Sequence, residues 1–320
     1  MSGGDDNENA YNDYYLGLVT VSAIFCGVAW LRNSSPPPLP TTEMLGKTVA
    51  LTGGTSGIGE AAALLLAKAG ASIVIGARDL QSANVKVEQL KKKSGNPNIK
   101  AEYLDLAKMG SIDKFAKGLE KGCDVLINNA GAMFAKRNSE EQLDFEETML
   151  VNHLSHWHLT KVLLPVLEKT AKSKNTESRI VNVGSRLEKT AILPTDGESR
   201  ESIQDWMQHG LISYTTFQLY ANSKLCMLSC SNELSRKLQA TKTPVTVNTV
   251  TPGMVNTNLS RFMPLYLQYL SYPILYAMLR TPQKGAKTVV WAATAPELQG
   301  KTGLYFGDMK AIKGSDESLV

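Results

Sequence analysis

The sequence predicts an α/β protein: a doubly wound, seven-stranded parallel sheet with helices on both faces, preceded by a membrane-anchor helix. Three observations lead there. From Lys47 onward, short apolar, β-branched runs alternate with longer helical patterns. The first of these runs ends in a glycine-rich turn that opens straight into an Ala/Leu helix. Ahead of them all, residues 14–31 carry no formal charge. A chain of 320 residues suits one large α/β domain with a short appendage. With 43% hydrophobic and 20% charged residues it is neither wholly disordered nor a polytopic membrane protein.

Residues 1–13 form an acidic tail, with Asp5, Asp6, Glu8 and Asp13 and no base. The formal charge is +4 overall and the bases are dispersed, so nucleic acid is not an expected partner. Tyr14 to Leu31, about 27 Å as a helix, matches a bilayer hydrocarbon core and is read as a transmembrane anchor. Tyr14, Tyr15 and Trp30 sit at its ends, and Arg32 follows, which places the domain on the cytosolic side of a single-pass protein. An acidic leader does not suit a cleaved signal peptide. Residues 32–43 make a linker in which Pro36 to Pro38 and Pro40 stop any helix. The domain is expected over residues 44–310, with a C-terminal tail over 311–320.

Within the domain the predicted strands are KTVALT, ASIVIGA, NIKAEYLDL, CDVLINNAG, RIVNVGS, PVTVNTVTPG and TGLYFG. Helical patterns separate them, including long helices around residues 145–173 and 214–239. Parallel strands need long crossovers, so this alternation reads as a sheet covered on both faces. The four cysteines lack metal-type spacing and are too few for a disulfide framework, so free thiols are expected.

The chemistry-bearing residues fall at the ends of these strands. Thr52-Gly53-Gly54-Thr55-Ser56-Gly57-Ile58-Gly59 has the strand, turn and helix context of a Rossmann-type dinucleotide fingerprint, in which glycines let backbone approach a pyrophosphate. At the end of the second strand Arg78 favours a 2′-phosphate, hence NADP(H), while Asp79 keeps NAD open. Asp105 closes the third strand, as a contact to adenine or as a helix cap. Asn129, Ala130 and Gly131 follow a fully apolar strand where the chain must run close to a ligand. Asn152, Ser185, Tyr220 and Lys224 come next in order. Tyr220 and Lys224 lie four apart on one helix face, where an ammonium close to the phenol would lower its pKa from about 10.

Taken in this order, TGGTSGIG, NNAG, NHLSHWHLT, GS, YANSK and TPGMVNT resemble the short-chain dehydrogenase/reductase family, and within it the retinol-dehydrogenase-like branch. The resemblance covers about residues 44–310. It implies pyrophosphate contacts at Gly53, Gly57 and Gly59, flanked by Thr55, Ser56 and Ile58. It also implies an adenosine contact at Asn129, further cofactor contacts from Pro252 and Gly253, and a nicotinamide contact at Thr257. Asn152, Ser185, Tyr220 and Lys224 would form the catalytic tetrad, with Tyr220 and Lys224 also touching the cofactor. Tyr220 would exchange the proton, Ser185 would hold the substrate oxygen, Lys224 would orient the ribose, and Asn152 would hold a water. Two departures stand out: Gly184-Ser185 where the branch has two serines, and a 34-residue interval between Ser185 and Tyr220, read as a loop beside the substrate entrance.

His153, His156 and His158 cluster without a Cys or a carboxylate to complete a metal site, and no metal is expected. Asn222 and Ser223 are read as local packing. Residues 262–279 are uncharged but broken by Pro264 and Pro273, which suits an apolar lid better than a second span. The function expected is an NADP(H)-dependent oxidoreductase, anchored to a membrane, expected to be the endoplasmic reticulum. It would act on a lipophilic retinoid, steroid or fatty carbonyl, with a homodimer left open. The competing readings are an epimerase or dehydratase of the extended type, whose phosphate loop and added sugar-nucleotide domain are missing here, and a non-catalytic NADP(H) sensor.

Overall fold

The computed structural model describes residues 43–134, 145–192, 215–255 and 279–315, together with Val19, Thr20, Ser22, Ala23 and Gly27. Those five are helical, but the rest of the expected anchor lies outside the described residues, as do Thr257, the 262–279 stretch and residues 193–214 of the long interval. Among the described residues, no helix is long and apolar enough to cross a membrane.

The strands are β1 Thr48–Thr52, β2 Ser72–Ala77, β3 Ile99–Tyr103, β4 Val125–Asn128, β5 Ser178–Val183, β6 Val245–Thr251 and β7 Tyr305–Gly307. They pair in parallel in the order β3-β2-β1-β4-β5-β6-β7. Every residue of β4 and β6 is buried, as a parallel sheet covered on both sides requires. The helices are α1 Gly57–Lys68, α2 Leu80–Ser94, α3 Met109–Lys117, α4 Ser155–Ser173, α5 Thr216–Ala240 and α6 Pro282–Thr294. Alternate strand residues divide the core. Val49, Leu51, Ile73 and Ile75 pack with α1, α2 and α6 through Leu66, Val87, Leu90 and Val289. Ala50, Val74 and Leu126 point the other way, onto α3, α4 and α5 through Phe115, Leu163 and Leu234.

Local signals set the helix ends. Asp79 caps α2 by accepting from Gln81 N and Ser82 N, and Gly95 ends it in the left-handed region at φ 74°. Thr215 and Gln218 form a reciprocal capping box on α5. Thr281 caps α6, with Pro282 in its first turn. The chain enters the domain at Met44, which is buried and whose N–H donates to Ala69 O.

The expected seven-stranded parallel sheet needs one correction. A two-residue strand, β8 Lys310–Ala311, pairs antiparallel with β7 and makes the sheet eight-stranded. The hairpin turns at Asp308 and Met309, both with positive φ, the geometry that suits a two-residue hairpin. Glycine or asparagine normally marks such a turn, and Asp-Met carries that signal weakly. Packing continues beyond residue 310: Ile312 N donates to Tyr305 O, and Ser315 bonds the buried Glu188 carboxylate.

Candidate active site

The strand order reverses between β1 and β4, so the crevice at their carboxyl ends is where an open α/β sheet binds ligands. A cavity of about 430 Å³ lies there. Gly53, Thr55, Ser56, Gly57, Ile58, Gly59, Arg78, Asp105, Asn129, Ala130, Gly131, Tyr220, Lys224 and Pro252 all line it. These residues come from stretches more than 160 positions apart in the sequence.

At the β1 end, missing side chains shape the cavity. Gly53 has φ +67°, and a Cβ there would stand 3.0 Å from Ala130 Cα. A Cβ on Gly59 would lie 2.1 Å from Gly53 O and 2.5 Å from Asn129 Nδ2, an overlap no side chain tolerates. Ser56 makes no side-chain cap bond to α1, so the first-turn N–H groups have no side-chain cap. These features fit a pyrophosphate held by backbone at a helix N-terminus.

Asn129 has a second role besides bordering the cavity. Its Nδ2 donates to Thr52 O at 3.0 Å and Gly53 O at 3.2 Å, so the amide braces the turn while the residue borders the cavity. The amide thereby supplies a donor to carbonyls at the β1 turn, as buried carbonyls demand. Asp79, bonded to the α2 N-terminus and to the Ser82 hydroxyl, is held below the ordinary carboxylate range, the hydroxyl contributing most. Asp105 settles between its two readings: it lines the cavity, and its carboxylate accepts from Ala107 N at 3.1 Å while Lys108 occupies the N-cap of α3. Arg78 lies near Glu147, whose pKa is raised by burial and pulled back by that guanidinium.

At the other end the side chains are buried. Lys224, 2% exposed, donates from Nζ to Val183 O at 2.8 Å and stands 5.5 Å from the centre of the Tyr220 ring. Burial lowers its pKa to about 8. The expected lowering of Tyr220 by Lys224 is not found. Burial pushes Tyr220 up to about 12, and the group that opposes this is the Ser185 hydroxyl, hydrogen-bonded to the phenol. The i, i+4 spacing brings the ammonium to the ring face, but the hydrogen bond it makes is to a backbone carbonyl, and desolvation dominates at the phenol.

Ser185 and Asn152 do not line the cavity but bond residues that do, Tyr220 and Ala132. Ser185 caps a short 3₁₀ turn, Arg186–Thr190, and bonds Tyr220. Asn152 lies in a π-helical turn, Leu150–Leu154, within the predicted 145–173 helix; such turns recur at functional sites. Its Oδ1 accepts from Ala132 N and its Nδ2 donates to Ala132 O, both at 2.9 Å, and Nδ2 also reaches Ser223 Oγ at 3.2 Å. Asn152 Oδ1 and Lys224 Nζ both border the space beside Gly131, 3.6 and 3.4 Å from where a Cβ would sit. Gly253, expected at the cofactor, does not border the cavity; its φ of +76° carries the chain past the Arg280 side chain, 3.0 Å from its Cβ position.

Several residues were outside the sequence reading of the site. Thr52, Ala132, Phe134 and Val151 line the cavity. Asn222, read as packing, accepts from Ile192 N at 2.8 Å and so holds the segment that follows Ser185. His153 and His156 are buried and uncharged, with pKa values lowered by burial to about 4 and about 3. His158 meets Asp113 at 2.7 Å on the surface. Among the described residues no three His, Cys, Asp or Glu side chains group as metal ligands, and Cys123, Cys226 and Cys230 are free thiols.

Comparison with known proteins agrees with this geometry. The family model for short chain dehydrogenase matches residues 47–193. Retinol dehydrogenase 14 of Homo sapiens is 36% identical, covering 91% of this chain and 86% of its own length. Polyprenol dehydrogenase of Mus musculus is 33% identical, over 85% of this chain and 78% of its own. Among solved structures, a protein of Mycobacterium paratuberculosis, described as uncharacterized, superposes with a TM-score of 0.63 at 27% identity, over 83% of this chain and 82% of its own.

Proposed function

The chain belongs to the short-chain dehydrogenase family, in its retinol-dehydrogenase-like branch, and from that premise we propose that it is a membrane-anchored, NADP(H)-dependent oxidoreductase interconverting an alcohol and a carbonyl on a lipophilic substrate. The observation that carries this reading is the buried Tyr220 phenol, bonded to Ser185 and flanked by Lys224, at one end of a cavity whose other end is the glycine turn.

A bound nicotinamide cofactor supplies or accepts the hydride. Gly53, Gly57 and Gly59 would hold its pyrophosphate through backbone N–H groups, and Ala130, Gly131 and Pro252 would form the floor. Arg78 supports NADP(H): it stands on the cavity wall while the neighbouring acid, Asp79, is engaged at the α2 N-terminus. Thr257 would face the nicotinamide amide, as the family pattern implies. Tyr220, at about 12, keeps its proton at neutral pH and is poised to donate it from Oη to a carbonyl oxygen. Ser185 Oγ is placed to bond the same oxygen. Lys224, poised near pH 8, would bond the ribose and return a proton toward Tyr220. Asn152 fixes the Ala132 backbone beside it.

The lipophilic substrate class is supported by relatives named for retinol and polyprenol, both oily alcohols, and by the uncharged 262–279 stretch. The anchor is supported by the uncharged run Tyr14–Leu31. Absorbance assays with NADPH and NADH against all-trans-retinal, a steroid ketone and a long-chain aldehyde test the activity. NADPH-preferring turnover is expected; NADPH binding with no turnover would favour the sensor reading. In parallel, the full chain is expected to stay with membranes through carbonate extraction, and its release would remove the anchor.

A further inference from the structure

The two ring nitrogens of the buried His156 join two parts of the site. Nε2 lies 2.9 Å from Thr52 Oγ1, across 104 residues of sequence, and Nδ1 lies 3.1 Å from the carbonyl oxygen of Asn152. Thr52 and Asn152 are 0% exposed and His156 is 2% exposed.

The direction of each bond follows from counting protons. A threonine hydroxyl has one proton and two lone pairs. Thr52 Oγ1 already accepts from Asn129 N and Ala130 N, each at 2.9 Å. Its remaining capacity is the proton, which goes to His156 Nε2. Nε2 is therefore an acceptor, the imidazole proton sits on Nδ1, and Nδ1 donates to the Asn152 carbonyl. Burial keeps the ring uncharged, with a pKa lowered to about 3, so this tautomer persists over the working pH range.

We propose that His156 is a positioning residue: as the neutral Nδ1–H tautomer it ties the π-helical turn carrying Asn152 to the end of β1 and to the Asn129–Ala130 backbone. Through Asn152 it holds Ala132 and the space between Gly131 and Lys224, so it registers the proton-transfer end of the site against the nucleotide end. The inference rests on the proposed function for its kinetic consequence and on the geometry alone for its bonding. An active-site group displaced by about 1 Å can lose on the order of 10²-fold in rate.

The test uses the full chain, ¹⁵N-labelled at Asn and His, with His156→Leu, which can neither donate nor accept, and His156→Gln, whose amide can do both. In the wild type, Nε2 of His156 is expected to be unprotonated. In His156→Leu the Asn152 side-chain amide signals are expected to move, kcat for retinal reduction to fall about 10- to 100-fold, and the Kd for NADPH to stay within about threefold. His156→Gln is expected to restore the amide signals and most of kcat. Should the leucine variant not fold, His156→Asn, a buried amide too short to span both partners, takes its place with the same expected losses. Protonation at Nε2 in the wild type, Asn152 signals that stay in place in a folded His156→Leu or His156→Asn, or a glutamine variant no better than leucine would each overturn the proposal. A wild type that turns over none of the aldehydes would remove the functional reading, while the tautomer and amide signals still judge the bridge.

Discussion

The two ends of the cleft are built on opposite principles. At the β1 end the decisive groups are hydrogen atoms in place of side chains: Gly53 and Gly59 allow turn, helix and the Asn129–Ala130 segment to meet at van der Waals distance. At the α5 end the decisive groups are ionisable side chains removed from water, where Tyr220 moves up to about 12 and Lys224 down to about 8. The difference predicts that variants at the two ends fail in different ways. Sterics govern the first end, and desolvation against a few hydrogen bonds governs the second.

Tyr220→Phe gives the sharpest separation. Losing one hydroxyl at the desolvated end is expected to lower kcat by roughly 10²- to 10⁴-fold, with NADPH affinity near that of the wild type. Stopped-flow hydride transfer and a fluorescence titration with NADPH check the two halves; equal loss in both would break the distinction between the ends. Gly59→Ala is the converse. With its Cβ 2.1 Å from Gly53 O, the methyl group is expected to abolish measurable NADPH binding and to destabilise the domain by about 3 kcal/mol, read by denaturant unfolding. A variant that bound NADPH normally would show that the turn is not the pyrophosphate site.

Arg78→Ala acts within the binding end. A lost charge-assisted contact to a phosphate is expected to weaken NADPH by roughly 10- to 100-fold and NADH by less than about threefold. Loss of equal size for both cofactors would reject the NADP(H) preference.

A test independent of the cofactor concerns the two buried histidines between the ends. Their folded pKa values, about 4 and about 3, lie below the unfolded value of 6.5, so the unfolded chain binds more protons on acidification. Stability is therefore fully present above pH 6.5 and is lost as pH falls through about 4 for His153 and about 3 for His156. Between pH 7 and pH 5 each histidine is expected to remove on the order of 2 kcal/mol, read from denaturant midpoints at matched ionic strength. His153→Gln should reduce that acid slope by about half; an unchanged slope would mean that other groups carry it.

Much of this was legible along the chain. Short apolar, β-branched runs separated by helical patterns placed seven of the eight strands, because a parallel sheet buried on both faces leaves little choice of residue. The glycine turn was legible because positive φ and close approach are local demands with one cheap solution. β8 escaped because its turn is Asp308-Met309, and left-handed backbone at such residues is imposed by the pairing with β7. The approach of Gly253 to Arg280 was not legible, because a family pattern marks where a glycine stands and leaves open which neighbour requires it.

By itself, then, the sequence determined what depends on nearest neighbours: strand and helix order, the glycine turn, and the i, i+4 pairing of Tyr220 with Lys224. Only the tertiary structure decided where the protons go. Asn129 turns to the β1 carbonyls, Lys224 to Val183, and His156 bridges Thr52 and Asn152, bonds whose partners lie up to 104 residues away. The direction of a pKa shift depends on water excluded by the whole fold and on donors delivered by distant strands. Spacing along one helix brings two groups together, but it does not say which of their charges burial will favour.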